Sequence, residues 1–143
     1  MTPEQVRLIR ESWNSVAAIA DPAVEQFYNR LFEIDSTTRA LFHATNMPEQ
    51  RRKVVQALSL AVQGVDDLAA LTPVLQQLGR GHHGYGVTPE QYQSVGAALL
   101  WTLEQGLGPQ WTPATAAAWT ELYGHISAVM LRAADEMPRD RAA

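Results

Sequence analysis

Five pairs of a capping residue and a proline are spread along the chain, and they constrain its fold more than any other feature. A threonine or aspartate side chain accepts hydrogen bonds from the first turn of a helix, and proline is favoured at the first helical position. The pairs are Thr2-Pro3, Asp21-Pro22, Thr72-Pro73, Thr88-Pro89 and Thr112-Pro113. Each pair predicts the start of a helix, and Asn46, with Glu49 three residues later, predicts a sixth start.

Apolar residues recur at helical spacing after each predicted start. In the first segment they are Val6, Ile9, Trp13 and Val16, a spacing that places them on one face of a helix. No segment alternates polar and apolar residues between turn signals, as a half-buried strand would. We therefore predict an all-α fold, with one domain over residues 1–137 and a frayed tail over residues 138–143.

The composition restricts the partners and the chemistry of the chain. Its eleven lysines and arginines are scattered and its formal net charge is −4, so we expect no nucleic-acid partner. We expect no membrane association and a cytoplasmic location, because no stretch approaches the roughly 18 apolar residues of a spanning helix and the first residues lack a targeting signal. The absence of cysteine excludes disulfides, iron–sulfur clusters and covalently attached c-type haem.

Among the four histidines, His82 has the most informative position. A rotation of about 100° per helical residue places it on one apolar face with Val74, Leu75 and Leu78, so that its ring is expected to point inward, whereas His83 points away. Near a helix C-terminus one ring nitrogen can bond to a free carbonyl, such as that of Leu78, which leaves the other nitrogen for a metal. Position alone leaves two interpretations open, a core histidine or an axial ligand of iron.

Several strings of residues resemble the globin family, in globin order and at globin spacing. Residues 78–82, Leu-Gly-Arg-Gly-His, followed by Gly86-Val87, resemble the proximal-histidine segment of neuroglobins and single-domain bacterial globins, and residues 112–124 resemble the final neuroglobin helix. Leu41-Phe42 and Arg52-Lys53-Val54 resemble the haem-packing phenylalanine and the start of the distal helix. The resemblance implies a globin fold of about six to eight helices around a non-covalently bound haem b, with His82 as the iron ligand.

The resemblance also implies a pocket for a bound gas. Tyr28 on the second helix and Gln50 at the start of the distal helix occupy the two positions from which globins reach the ligand, and this pair is typical of the globin domains of flavohaemoglobins. Bound dioxygen carries partial negative charge, so a phenol O–H and an amide N–H stabilise it. Alternatively, Tyr28 is a core aromatic and Gln50 a solvated residue. Val54 is expected to limit the pocket, and the expected haem contacts are Phe42, Lys53, Leu78, Val87, Tyr92 and Val95.

The chain departs from the flavohaemoglobin pattern on the proximal side. There the counterpart of Tyr92 works with an acid on the last helix to strengthen the proximal histidine, whereas the matching position here is Ala134. We expect no reductase domain, so that electrons would have to come from an external reductase. Lys53 either reaches a haem propionate or faces water.

The resemblance implies a reversible binder of dioxygen and of other diatomic gases, such as nitric oxide and carbon monoxide. The alternative is a nitric oxide dioxygenase that depends on a separate reductase. A third possibility, a helical interaction module without haem, stays open on the residues alone. We expect a monomer or a weak homo-oligomer.

Overall fold

The computed structural model describes residues 1–137, and every regular element in that range is helical. The described residues form six α-helices and two 3₁₀ segments: α1 (Pro3–Ala17), α2 (Ala20–Ile34), the first 3₁₀ segment (Ser36–Phe42), α3 (Met47–Gln63), α4 (Leu68–Gly84), α5 (Pro89–Leu107), the second 3₁₀ segment (Gly108–Gln110) and α6 (Pro113–Asp135). No helix in this part of the chain is long and apolar enough to span a membrane. The predicted all-α fold is confirmed, and the tail expected at 138–143 lies outside the described residues.

Four of the predicted helix starts are capped as expected. Thr2 and Thr88 each form a capping box with the glutamine three residues later. Asn46 Oδ1 accepts a hydrogen bond from the Glu49 amide at 3.1 Å, and Thr112 Oγ1 accepts one from the amide three residues later at 3.2 Å. These bonds satisfy first-turn amides that have no acceptor within the helix.

The start predicted at Asp21-Pro22 is wrong by two residues. α2 begins at Ala20, and Ile19 at the N-cap position makes no side-chain capping bond. Pro22 lies within the first turn, where amides lack intrahelical acceptors, so its missing N–H is tolerated there as well as at the first position. The Asp21 carboxylate instead pairs with Arg51 Nε of α3 at 3.0 Å.

The start predicted at Thr72-Pro73 is also wrong. α4 begins one turn earlier, at Leu68, where Asp67 Oδ1 accepts a hydrogen bond from the Ala70 amide at 3.4 Å. Pro73 therefore lies inside the helix. An interior proline removes one backbone hydrogen bond, and the cap at Asp67 together with the packing of α4 offsets that loss.

α3 and α4 pack on other helices rather than on each other, and we call the region between these two helices the slot. α4 packs mainly on α6, and α2 packs mainly on α5, whereas α3 and α4 scarcely touch each other. The buried apolar side chains accordingly form two clusters. The larger cluster is built on α1, α2, α5 and α6, with Ile9, Leu31, Leu103 and Trp119 at its centre, and the smaller cluster lies beneath α4 and contains Leu71, Leu75, Tyr92 and Met130.

Gly79 allows α4 to approach α6 closely. A Cβ atom at this position would overlap the backbone carbonyl oxygen of Met130 on α6. A backbone atom cannot move aside as a flexible side chain can, so the crossing needs a residue without a side chain. This contact fixes the position of α4, which forms one wall of the slot.

Candidate functional site

His82 lies in the last turn of α4 and its side chain is exposed. Its Nδ1 atom is 2.7 Å from the carbonyl oxygen of Leu78, as the sequence predicts. Because a carbonyl only accepts hydrogen bonds, Nδ1 carries the hydrogen and the lone pair of Nε2 is free. An imidazole in this state can bind a metal through Nε2.

The expected burial of the apolar face that carries His82 is only partly correct. Leu75 is 4% exposed, but Val74 is 39% exposed and His82 is exposed as well. α3, which packs on α1 and α2, does not cover α4. The His82 ring instead faces Tyr92 of α5, with the ring centroids 6.2 Å apart.

The wall beneath His82 is apolar. Leu78 and Val87 are half-buried and pack against the smaller cluster, of which Tyr92 is a member. The turn after α4 contains Gly86 at a φ of 82°, a conformation that favours glycine. This turn folds the chain back, so that the Val87 amide donates to the His82 carbonyl at 3.1 Å.

The Tyr92 hydroxyl is buried and has no hydrogen-bond partner among residues 1–137. The neighbouring hydroxyl of Tyr123 donates to the backbone carbonyl of Tyr92 at 2.5 Å and so does not pair with the phenol. Burial raises the pKa of both tyrosines. Flavohaemoglobins carry an acid at the position of Ala134, and an alanine cannot pair with the phenol. The Tyr92 hydroxyl is therefore expected to be uncharged and to lack a carboxylate partner there.

Tyr28 and Gln50 meet on the other side of the slot. Gln50 Nε2 donates a hydrogen bond to the Tyr28 hydroxyl oxygen at 3.2 Å. Tyr28 is 4% exposed, and burial raises the pKa of its hydroxyl, although the bond from Gln50 opposes the shift. Since the oxygen accepts this bond, the Tyr28 O–H remains available to donate to another group.

An aromatic cluster holds the Tyr28 ring. The ring centroids of Phe27 and Phe42 lie 5.0 Å and 5.1 Å from that of Tyr28, both at near-perpendicular angles, and Phe32 lies 6.0 Å away. Edge-to-face contacts of this kind are favourable and restrict the ring orientation. Phe42 comes from the first 3₁₀ segment, so that segment helps to position the phenol.

The predicted cofactor-contacting residues divide between the two walls of the slot. Val54 and Val95 are half-buried and, with Phe42, pack on the larger cluster. Leu78, Val87 and Tyr92 pack on the smaller one. Lys53 is exposed at the start of α3.

The donor set and the slot fit haem. α4 offers one free imidazole nitrogen beside the apolar side chains of the smaller cluster, and α2 and α3 bring together a pair of neutral hydrogen-bond donors. The described residues contain no group of three or more histidine, cysteine, aspartate or glutamate side chains that could hold a metal ion. This chemistry suits a flat apolar cofactor that carries its own metal and takes one ligand from the chain.

Sequence reasoning missed a polar network beside the slot. Gln91 Nε2 donates to Thr37 Oγ1 at 3.1 Å, and Ser94 Oγ donates to Asp35 Oδ2 at 2.8 Å. The only local signal was Gln91, as the partner of Thr88 in a capping box. Its contact with the first 3₁₀ segment joins residues 54 positions apart, which no local pattern reveals.

Comparison with known proteins identifies the family and agrees with the fold. Residues 25–130 match the family model described as Globin. The neuroglobin of Tetraodon nigroviridis is 32% identical over 99% of this chain and 98% of its own length, and that of Danio rerio is 33% identical over 87% of each. The solved structure of a bacterial globin from Campylobacter jejuni has a TM-score of 0.81 at 22% identity, covering 94% of this chain and 97% of that one.

Proposed function

Since the chain belongs to the globin family, a family of haem proteins that bind diatomic gases, we propose that it holds haem b through His82 and stabilises bound dioxygen with Tyr28 and Gln50. The observation that carries the proposal is the hydrogen bond, 3.2 Å long, between the half-buried Gln50 of α3 and the buried hydroxyl of Tyr28. Haem supplies the iron at which the gas binds. The side chains of the chain then decide how long the gas stays.

On the proximal side, His82 binds iron through Nε2. The Leu78 carbonyl, 2.7 Å from Nδ1, fixes the tautomer and the orientation of the ring. A hydrogen bond from Nδ1–H to a carbonyl also increases the electron density on Nε2, which strengthens its bond to a metal. His83 has no comparable bond among the described residues and belongs to the solvated face of α4.

On the distal side, the two donors have different tasks. Gln50 uses one amide hydrogen to orient the Tyr28 oxygen, which directs the phenol O–H toward the slot. With haem in place, the phenol would be the donor to dioxygen, and the second amide hydrogen of Gln50 would be a further donor. Carbon monoxide and nitric oxide accumulate less negative charge when bound, so we expect the pair to favour dioxygen.

The walls hold the haem by apolar contact. Phe42, Val54 and Val95 lie on one side of the ring system in this proposal, and Leu78, Val87 and Tyr92 lie on the other. Lys53 is exposed and pairs with a propionate at the rim. An exposed ion pair of this kind contributes about 0–1 kcal/mol, so the apolar walls dominate haem retention.

A second candidate is a nitric oxide dioxygenase. Its reaction combines nitric oxide, dioxygen and one electron to give nitrate, and it needs the same pair of donors to polarise dioxygen. The electron would come from an external reductase. The Tyr92 hydroxyl, which has no partner among residues 1–137, favours the reversible binder, because in that part of the chain His82 has no acid-linked phenol beside it to strengthen its donation to iron.

The absorbance of the haem-loaded protein tests the proximal assignment. We expect wild type and His83→Ala to bind one haem with the same Soret band, and His82→Ala to lose the histidine-bound spectrum. Added imidazole should restore that spectrum in His82→Ala. The assignment is wrong if His83→Ala loses the spectrum while His82→Ala keeps it.

Nitrate production separates the two candidate functions. With a supplied reductase and excess nitric oxide, a dioxygenase forms many nitrate ions per haem. After the autoxidation background is subtracted, the reversible binder forms about one nitrate ion per haem and then stops.

A further inference from the structure

Four polar side chains, which we call the polar strap, join the first 3₁₀ segment to the start of α5: Asp35, Thr37, Gln91 and Ser94. Thr37 Oγ1 donates to Asp35 Oδ1 at 2.5 Å and accepts from Gln91 Nε2 at 3.1 Å. Asp35 Oδ2 accepts from Ser94 Oγ at 2.8 Å. The strap therefore crosses between the two elements twice, once from Gln91 and once from Ser94.

The strap is the main link between these two elements. The first 3₁₀ segment packs its backbone chiefly against α2, and it has few backbone neighbours in α5. Gln91 is 7% exposed, Asp35 is half-buried and Thr37 is exposed, so the bonds that Gln91 and Ser94 make across the strap are better shielded from water than the bond from Thr37 to Asp35. Hydrogen bonds to an ionised carboxylate are stronger than those between neutral groups.

Each end of the strap lies beside one wall of the slot. The first 3₁₀ segment carries Phe42, whose ring packs against Tyr28 at 5.1 Å. The start of α5 carries Tyr92, whose ring lies 6.2 Å from that of His82. A displacement at either end of the strap is thus passed to an aromatic ring in contact with a proposed ligand-binding residue.

Gln91 connects the two sides through a single side chain. Its Oε1 accepts from the Thr88 amide at 2.9 Å, which caps α5 immediately after the turn that follows His82. Its Nε2 donates to Thr37 in the first 3₁₀ segment. One planar amide therefore ties the proximal turn to the segment that carries Phe42.

We propose that Gln91 and Asp35 are positioning residues that set the spacing of the two walls, so that breaking the polar strap alters gas release and proximal geometry together. The proposal rests on the proposed function of the slot as the haem site. It differs from a purely structural role in one respect. A structural role lowers the free energy of unfolding alone, whereas a positioning role also moves the two rings.

Gln91→Glu is the most selective variant. The glutamate oxygen still accepts from the Thr88 amide, and a capping box with glutamate is fully effective at a helix start. The variant has no N–H to give to Thr37, and its carboxylate faces the Asp35 carboxylate through Thr37. The cap is preserved while the strap is broken.

Gln5→Glu is the matched control. Gln5 fills the same place in the capping box of α1, where its Oε1 accepts from the Thr2 amide at 2.9 Å and its Nε2 donates to Glu121 at 2.6 Å. The change is identical in chemistry and also removes a bond between two helices. It lies on α1, away from the residues proposed to line the slot.

Three measurements on both variants test the proposal. In the haem-loaded protein we expect Gln91→Glu to release dioxygen about two- to thirtyfold faster, the range expected for residues that couple two sites, and to shift the iron–histidine vibration. In the haem-free protein we expect faster amide hydrogen exchange in both residues 36–42 and 86–92. Gln5→Glu should match wild type in all three quantities.

The outcomes are distinguishable from failure of the proposed function. If wild type lacks a His82-dependent spectrum, the haem assignment fails first. If wild type binds haem and gas but Gln91→Glu equals Gln5→Glu, the strap has no positioning role. Should Gln91→Glu not fold, Ser94→Ala is measured in its place; it loses the bond to Asp35 Oδ2 and a 3.3 Å bond to the Glu90 carbonyl within α5. An unchanged release rate in Ser94→Ala overturns the proposal.

Discussion

Replacing Tyr28 with phenylalanine removes one hydroxyl group from the distal wall and leaves the ring in place. The contacts with Phe27 and Phe42, at centroid distances of 5.0 Å and 5.1 Å, do not depend on the hydroxyl. The pocket therefore keeps its shape. Gln50 loses the acceptor to which it donates at 3.2 Å, so one of its amide hydrogens is released.

The expected effect follows from the burial of the phenol. At 4% exposure, water competes little with a bond from the Tyr28 hydroxyl to the gas. A hydrogen bond to a charged acceptor contributes about 1.5–3 kcal/mol, and about 1.4 kcal/mol corresponds to a tenfold change in rate. We expect dioxygen release to become roughly ten- to a hundredfold faster. In Tyr28→Phe the released amide of Gln50 can donate to the gas in place of the phenol, so we expect an increase of about tenfold. In the double variant Tyr28→Phe with Gln50→Leu both donors are lost, so we expect an increase of about a hundredfold.

Stopped-flow mixing of the oxygenated protein with excess carbon monoxide measures the release rate. Tyr123→Phe is a suitable control, because it also removes a hydroxyl from a buried tyrosine, one that donates to a backbone carbonyl. We expect release within about twofold of wild type there. Carbon monoxide release should change by less than about threefold in Tyr28→Phe. An unchanged dioxygen rate, or equal acceleration for both gases, would refute the role of the hydroxyl.

Three further predictions concern pH and packing. Burial raises the pKa of Tyr28, so its contribution to the folding free energy is fully present below the unfolded pKa near 10 and is lost as pH rises through the folded pKa. The rate of dioxygen release should therefore stay constant up to about pH 10 and then increase. Tyr28→Phe should lack this increase. Gly79→Ala should cost about 1–3 kcal/mol in urea unfolding of the haem-free protein, because the added carbon overlaps the Met130 carbonyl, whereas Gly81→Ala, with nothing within 4 Å of its Cβ position, should be neutral or stabilising. The hydrogen bonds from Thr37 and Ser94 lower the pKa of Asp35, so its contribution to the folding free energy is present above the unfolded pKa near 3.8 and is lost as pH falls through the folded pKa. Asp35→Asn should therefore lose less stability than wild type as pH falls below about 4. An identical pH profile for the two proteins would contradict this.

Short-range features of this chain were predictable from its residues. The caps at Thr2, Asn46, Thr88 and Thr112 each involve an amide three residues away, and the bond from His82 to Leu78 spans one helical turn. Such contacts depend only on the local backbone, which helix formation fixes. The starts at residues 21 and 72 were mispredicted because proline is tolerated at several positions of a helix, so a capping residue before it does not define the first turn.

The tertiary structure alone decided which side chains share the slot. Tyr28 and Gln50 are 22 residues apart, and the bonds of the polar strap span 54 and 59 residues. Their meeting depends on how the helices cross, and that is set by packing contacts such as the one between Gly79 and Met130. The same packing leaves α4 uncovered by α3, and His82 is exposed although its helix face is apolar. Periodicity assigns a residue to a face of its own helix, but only the crossing of helices determines what that face meets.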